Sequence, residues 1–150
     1  MMKKYSVQEI QVSYKGKLPA TDLQITGSSK AAEILQQVWD QHTMTIQESF
    51  VVLLLNNANQ VKGVYRLSTG GITATMVDIR LLFAVVLKSI STSIIVAHNH
   101  PSGKMQPSTP DRQITQKIKK AAEYLDIHLL DHIILSPFAE YYSFADHGIL

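Results

Sequence analysis

There is no cysteine among the 150 residues of this chain. Disulfide frameworks and thiolate-ligated structural zinc are therefore excluded, and any metal must be held by His, Asp or Glu. The absence also fits a reducing compartment. Long apolar runs are missing too. The most apolar stretch, Leu81 to Ala97, is broken by Lys88, Ser89, Ser91, Thr92 and Ser93, which is too polar for a membrane span. From Met1 to Tyr14 there is no uninterrupted apolar core, so this stretch is not read as a secretory signal. Charge of one sign is scarce, and a formal net charge of +2 is too small to imply nucleic acid as a partner. The expectation is a cytoplasmic protein with no membrane association.

What the chain does have is the ordinary composition of a folded domain, with 45% hydrophobic and 17% charged residues. A chain of this length buries roughly two-thirds of the surface that its unfolded form exposes, enough for one core without staples. Residues 1–27 read as an N-terminal extension, in which Ile10, Val12 and Tyr14 alternate as in a short strand before Gly16 and Pro19 break the pattern. The main domain is expected over 28–150. Ser28 or Ser29 can cap a helix with Ala31, Ile34, Leu35, Val38 and Trp39 on one face.

The nearly unbroken apolar run Phe50 to Leu55 predicts a strand buried on both faces. After the turn-type cluster Asn56 to Asn59, the residues Val61, Val64, Tyr65 and Leu67 predict its hairpin partner, which Gly70 and Gly71 end. Asp78 is a cap for a helix over about Ile79 to Ile90, with Leu81, Leu82, Val85, Val86 and Ile90 inward. Ser93 to Ala97 reads as a core strand running into His98. A stiff loop with three prolines follows, and then a helix opened by Asp111 with Ile114, Ile118, Ala122 and Leu125 inward. Ile127 to Leu135 reads as a buried strand and Tyr141 to Phe144 as a short edge strand. Helix, hairpin, helix, strand, helix and strands in that order argue for a mixed α/β sandwich around one sheet.

The chemistry is concentrated in His98-Asn99-His100-Pro101-Ser102-Gly103, followed by Ser108 and Asp111. In an extended segment, residues two apart point to the same side, so His98 and His100 can present both imidazoles to one point while Asn99 turns away. The intervening loop is long enough for Asp111 to fold back beside them. Two imidazoles and one carboxylate are typical zinc ligands, and three protein ligands leave a tetrahedral position for water, as in catalytic sites. Glu48, an isolated acid at the start of the first buried strand, is the candidate general base. Ser108 is a candidate donor to an oxyanion, a contact worth ~3 kcal/mol in other hydrolases.

Each residue also has a plainer reading. A lone His-x-His is usually chance, an Asp opening a helix is usually a cap, a serine among prolines is usually a turn residue, and Glu48 can simply begin a strand. Their conjunction changes the weighing. His132 follows Asp131 inside an apolar strand and is read as a buried structural histidine, with a role behind a ligand as the alternative. His128 is read as half-exposed. His42 and His147 are assigned no role.

The spacing of Glu48, His98-Asn99-His100, Ser108 and Asp111 resembles the JAMM (JAB1/MPN/Mov34) motif of zinc isopeptidases and their bacterial relatives. With His98 to Gly103, Pro107-Ser108, Leu130 to Ile134, Tyr142-Ser143-Phe144 and Gly148, and with Arg80 in the preceding helix, the chain looks more narrowly like the RadC-like family, over about Ser29 to Leu150. The resemblance implies a cytidine-deaminase-like α/β/α sandwich and zinc-dependent hydrolysis of a peptide or isopeptide bond. It implies His98, His100 and Asp111 as metal ligands, Glu48 as general base and Ser108 as oxyanion donor.

The sequence departs from the family pattern at Asn56 or Asn57, at Ile79 and Leu81, and at Lys104-Met105. No helix-hairpin-helix region is recognised. Two other functions are compatible with the sequence. One is a DNA-repair-associated accessory that binds or processes nucleic acid, resting on Arg112, Lys117, Lys119 and Lys120. The other is a non-catalytic interaction module.

Overall fold

The computed structural model describes residues 4–17, 23–71 and 76–150. Its elements run α1 (Ser28–Val38), β1 (Ser49–Leu55), β2 (Val61–Thr69), α2 (Ile79–Lys88), β3 (Ser93–Asn99), α3 (Thr109–Tyr124), β4 (His128–Leu135) and β5 (Tyr141–Ser143). The strands form one five-stranded sheet in the order β2-β1-β3-β4-β5. Only the β3–β4 pair is parallel, as the α3 crossover between them allows; the other pairs are antiparallel. Every residue of β1 and of β3 is buried, because helices cover both faces of these central strands.

Side-chain alternation divides the core in two. Val51, Leu53, Leu55, Ile95 and Ala97 face α1, where Leu35 and Trp39 meet them. Phe50, Val52, Leu54, Ile94 and Val96 face α2 and α3, against Leu82, Val86 and Ile118. The result is the three-layered α/β sandwich that the element order implied. Truncating a fully buried core residue such as Leu53 or Ile118 to Ala is expected to cost about 2–5 kcal/mol.

Several local expectations need correction. Residues 4–17 form no strand, and Ile10 and Val12 stand exposed, because alternation makes a strand only where another strand supplies hydrogen bonds. Tyr14 does find a contact: the Lys62 ammonium sits 4.1 Å from its ring centroid. Pro19 lies outside the described residues. Gly27, not a serine, is the N-cap of α1, since the Ser28 hydroxyl is bonded to Asp146.

Asp78 does cap α2, accepting from the N–H groups of Arg80 and Leu81. That helix stops at Lys88, however, and Ile90 takes a left-handed φ of 52° in the following turn, where it is exposed; Leu81, in the first turn of α2, is exposed too. α3 opens at Thr109 with Ser108 as N-cap, which puts Asp111 at the third helical position. Leu125 falls beyond the helix and is exposed. Among the described residues no helix is long and apolar enough to cross a membrane.

Candidate metal centre

β1 and β3 pair antiparallel with Phe50 opposite His98, and continuing that register puts Glu48 across from His100. Residues 48, 50, 98 and 100 therefore share the sheet face under α2 and α3. Glu48 lies one residue before β1, yet its backbone is still held in the β1–β2 ladder. Its N–H donates to the Gly71 carbonyl at 3.0 Å, and its carbonyl accepts from the Gly70 N–H at 2.8 Å.

At the other wall, Ser108 and Asp111 form a reciprocal capping box. The Asp111 N–H donates to Ser108 Oγ at 3.1 Å, and the Ser108 N–H donates to Asp111 Oδ2 at 2.8 Å. The same Asp111 carboxylate turns its oxygens to the histidines, with Oδ1 3.3 Å from His98 Nε2 and Oδ2 3.3 Å from His100 Nε2. Cap and ligand are alternative readings of Asp111; it is a cap here, and its geometry leaves the ligand reading open. The ligand atoms of His98, His100 and Asp111 all lie within 4.8 Å of one another, the arrangement needed to hold a metal ion.

The hydrogen-bond network assigns the imidazole protons, beginning at a residue that the sequence did not single out. Thr115, buried on α3, has one hydroxyl hydrogen, and it donates to the Asp111 carbonyl at 2.6 Å. Its oxygen must therefore accept from His132 Nδ1–H, also at 2.6 Å. Burial, reinforced by the neighbouring His98, pushes the His132 pKa well below its ordinary value, so the ring is neutral and its Nε2 is bare. That bare nitrogen, 2.7 Å away, accepts from His98 Nδ1–H. On the other side, His100 Nδ1–H donates to the Lys104 carbonyl at 2.6 Å. Both Nε2 atoms are thereby left to face the centre, 3.0 Å apart. Two nitrogen lone pairs and a carboxylate repel one another unless a cation lies among them.

The charge states agree with this arrangement. Burial lowers the His98 pKa against the opposing pull of Asp111, so that ring stays neutral. For His100 the effect of burial is outweighed by the hydrogen bonds to Asp111 and Lys104 and by the negative charges of Asp111 and Glu48, and its pKa rises. Burial would raise Asp111, but the imidazoles of His100 and His98 beside it, with the Ser108 N–H, hold it well below the usual carboxylate range. A divalent ion at this centre would compete with a proton for the His100 ring.

Glu48 stands apart from this triad. Burial first, and the Asp111 charge after it, raise its pKa, with the nearby His100 acting in the opposite direction. It lines a cleft of about 220 Å³ together with Phe50, Met76, Val77, His98, Pro110, Asp111 and Ile114. Ser108 is exposed at the helix N-cap and is not among the residues lining that cleft.

The position of Glu48 depends on a second residue that the sequence did not reveal. Asn99 does turn away from the histidines, but into a fully buried role. Its Oδ1 accepts from the Ser49 N–H at 2.8 Å, and its Nδ2 donates to the Gln47 and Met44 carbonyls at 2.9 Å each. It thus grips the chain on both sides of Glu48. Gly103 closes the loop after the histidines at a φ of 80°, where an added Cβ would come 2.7 Å from the Phe138 ring. His128 is exposed, and His42 and His147 lie outside the cluster.

A mixed sheet between helices, with His-x-His ending a central strand and an acid opening the next helix, defines an α/β domain of the JAB/MPN kind. A family model described as "RadC-like JAB domain" matches residues 25–149. The chain belongs to this RadC-like JAB domain family. Among similar proteins, a "UPF0758 protein" of Flavobacterium johnsoniae is 47% identical over 125 residues, covering 83% of this chain and 53% of the relative. One from Porphyromonas gingivalis is 43% identical over 69% of this chain and 46% of its own length. One from Streptococcus equi subsp. zooepidemicus is 34% identical over 99% of this chain and 73% of the relative. The chain spans about half the length of the first two.

Proposed function

We propose that this domain is a zinc-dependent hydrolase acting on a peptide or isopeptide bond. The observation that carries the reading is the pair of contacts behind the histidines: His132 and Lys104 take up the outer nitrogens of His98 and His100, so that both inner nitrogens and the Asp111 carboxylate face one centre. Two imidazoles, one carboxylate and no thiol suit zinc, with a coordination position left over for a non-protein ligand. A zinc ion held by His98, His100 and Asp111 supplies Lewis acidity, making water more acidic and polarising a carbonyl.

The chain's own residues would do the rest. Glu48, its pKa raised in the cleft, accepts a proton from the attacking water and returns it to the departing amine. Phe50, Val77 and Ile114 give the cleft an apolar wall that favours a bound acyl chain over bulk water. The Ser108 oxygen accepts from Asp111, and its own hydroxyl hydrogen remains to donate to an anion forming beside that helix end.

The test is hydrolysis of a fluorogenic peptide panel by zinc-loaded protein, alongside the Glu48→Gln variant. That variant should retain its zinc and lose at least about 100-fold in rate. Full activity in Glu48→Gln would contradict the assignment.

A further inference from the structure

The cleft beside Glu48 and Asp111 does not end at Val77. Met76 and Val77 line it and also line a neighbouring groove of about 590 Å³, bounded by Leu67 of β2, the start of α2 and Lys117 of α3. The two spaces share these walls and so lie side by side, within reach of one extended chain.

The chemistry changes along this path. Glu48 and Asp111 stand at the end near the candidate centre. At the far end, two helices each contribute a cation, Arg80 from α2 and Lys117 from α3, and the Arg80 side chain is 94% exposed. The acid among the groove's lining residues, Asp78, is the cap of α2, and it also pairs with Arg80, through the guanidinium Nε at 3.5 Å. Its carboxylate accepts from two backbone N–H groups, and the positive end of the helix partly offsets its charge. Lys117 also borders a further depression with Arg112 and Lys120, so positive charge continues along α3. Apart from Ser68 and Asp78, the rest of the lining is aliphatic, formed by Leu67, Met76, Val77 and Ile79. Among the described residues no aromatic ring lines the groove, whereas single-stranded nucleic acid is held chiefly by bases stacked on aromatic rings.

An aliphatic floor with a cationic rim fits apolar side chains interspersed with carboxylates. We infer that the substrate segment leaving the candidate centre is an extended acidic peptide. Its carboxylates meet Arg80 and Lys117, and its aliphatic side chains sit on Met76, Val77 and Ile79. This inference rests on the hydrolase reading and adds the substrate class.

The experiment uses the full chain carrying Glu48→Gln, loaded with zinc so that peptide binds without turnover. Fluorescence anisotropy compares labelled peptides that share Leu and Val positions and carry Glu, Gln or Lys at the others, with a labelled oligothymidylate beside them. The Glu peptide should bind about tenfold tighter than the Gln peptide, as expected for a few exposed ion pairs. That preference should fall with added salt and disappear in the Arg80→Gln, Lys117→Gln double variant, with zinc content unchanged.

Equal binding of the Glu and Gln peptides, or a Glu preference that survives the double variant, would overturn the inference. Tighter binding of the oligothymidylate would do the same and assign the groove to nucleic acid. Zinc measured on the same samples separates the two claims. Zinc-loaded protein without a charge preference removes the groove and leaves the hydrolase reading. A chain that holds no zinc yet prefers the acidic peptide removes the hydrolase reading and leaves the groove.

Discussion

His132 Nε2 lies 2.7 Å from His98 Nδ1, a buried contact between two neighbouring parallel strands. His132 is itself oriented by Thr115, so the line Thr115–His132–His98 runs from α3 along that face of the sheet to the candidate centre. Groups behind a metal ligand fix its tautomer, and losing one typically lowers metal affinity about 10–100-fold. His132→Leu should weaken zinc binding by that factor in competition with a chromogenic chelator. Thr115→Val should act in the same direction and less strongly, since His132 keeps its ring. Unchanged zinc affinity in His132→Leu would show that the contact is structural packing alone.

Asn99 gives a prediction about stability. Asn99→Ala leaves the Ser49 N–H and the Met44 and Gln47 carbonyls without their partner, in a position of 0% exposure. An unmet buried hydrogen bond costs about 1–3 kcal/mol, so urea denaturation should show a loss of about 2–4 kcal/mol. Asn99→Asp restores only the bond from Ser49, because a carboxylate donates nothing to the two carbonyls. It should not recover the loss. Stability equal to that of the parent chain would mean the segment before β1 is held by other contacts.

Glu48 makes stability depend on pH in a direction that can be worked out. Its pKa is raised in the folded state, so the folded chain binds more protons than the unfolded one between the ordinary and the raised value. Stability contributed by this group is therefore full below the ordinary carboxyl pKa and is lost as pH rises through the raised one. Glu48→Gln lacks that drop. In metal-free protein the variant should match the parent at acid pH and exceed it near neutrality by at most about 1 kcal/mol, since the half-exposed group is screened by solvent. Thermal melts across pH check this. A variant less stable than the parent at neutral pH would contradict it.

Much of the fold was legible because its signals are local or periodic. The apolar run Phe50 to Leu55 is the signature of a central strand, and β1 is buried along its whole length. His98 and His100 share a face because strand geometry has a period of two. The spacing to Ser108 and Asp111 became interpretable once helix capping put both at the start of α3. What was not legible depended on partners distant in sequence. Nothing near Asn99 shows that residues 44–49 will cross beside it. Thr115 reads as an ordinary helical residue until β4 brings His132 against it. Val12 and its neighbours show the opposite failure: the alternation is correct for a strand, but in 4–17 no ladder forms.

Metal and stability should be linked. The lone pairs of His98 and His100 and the Asp111 carboxylate converge only in the folded chain, so zinc should bind the native state preferentially and raise its melting temperature. At a free zinc concentration about 100 times the dissociation constant, the gain is about 2.7 kcal/mol. Chelator should reverse it. The Asp111→Asn variant should show little shift, because an amide does not neutralise the ion.

The most direct measurement is elemental analysis of the full chain purified without chelator and equilibrated with zinc, beside His98→Ala, His100→Ala and Asp111→Ala. The account predicts about one zinc per parent chain, as three converging ligands would hold, and a sharp loss in each variant. A parent chain that takes up no zinc, or variants that take up as much as the parent, would contradict it.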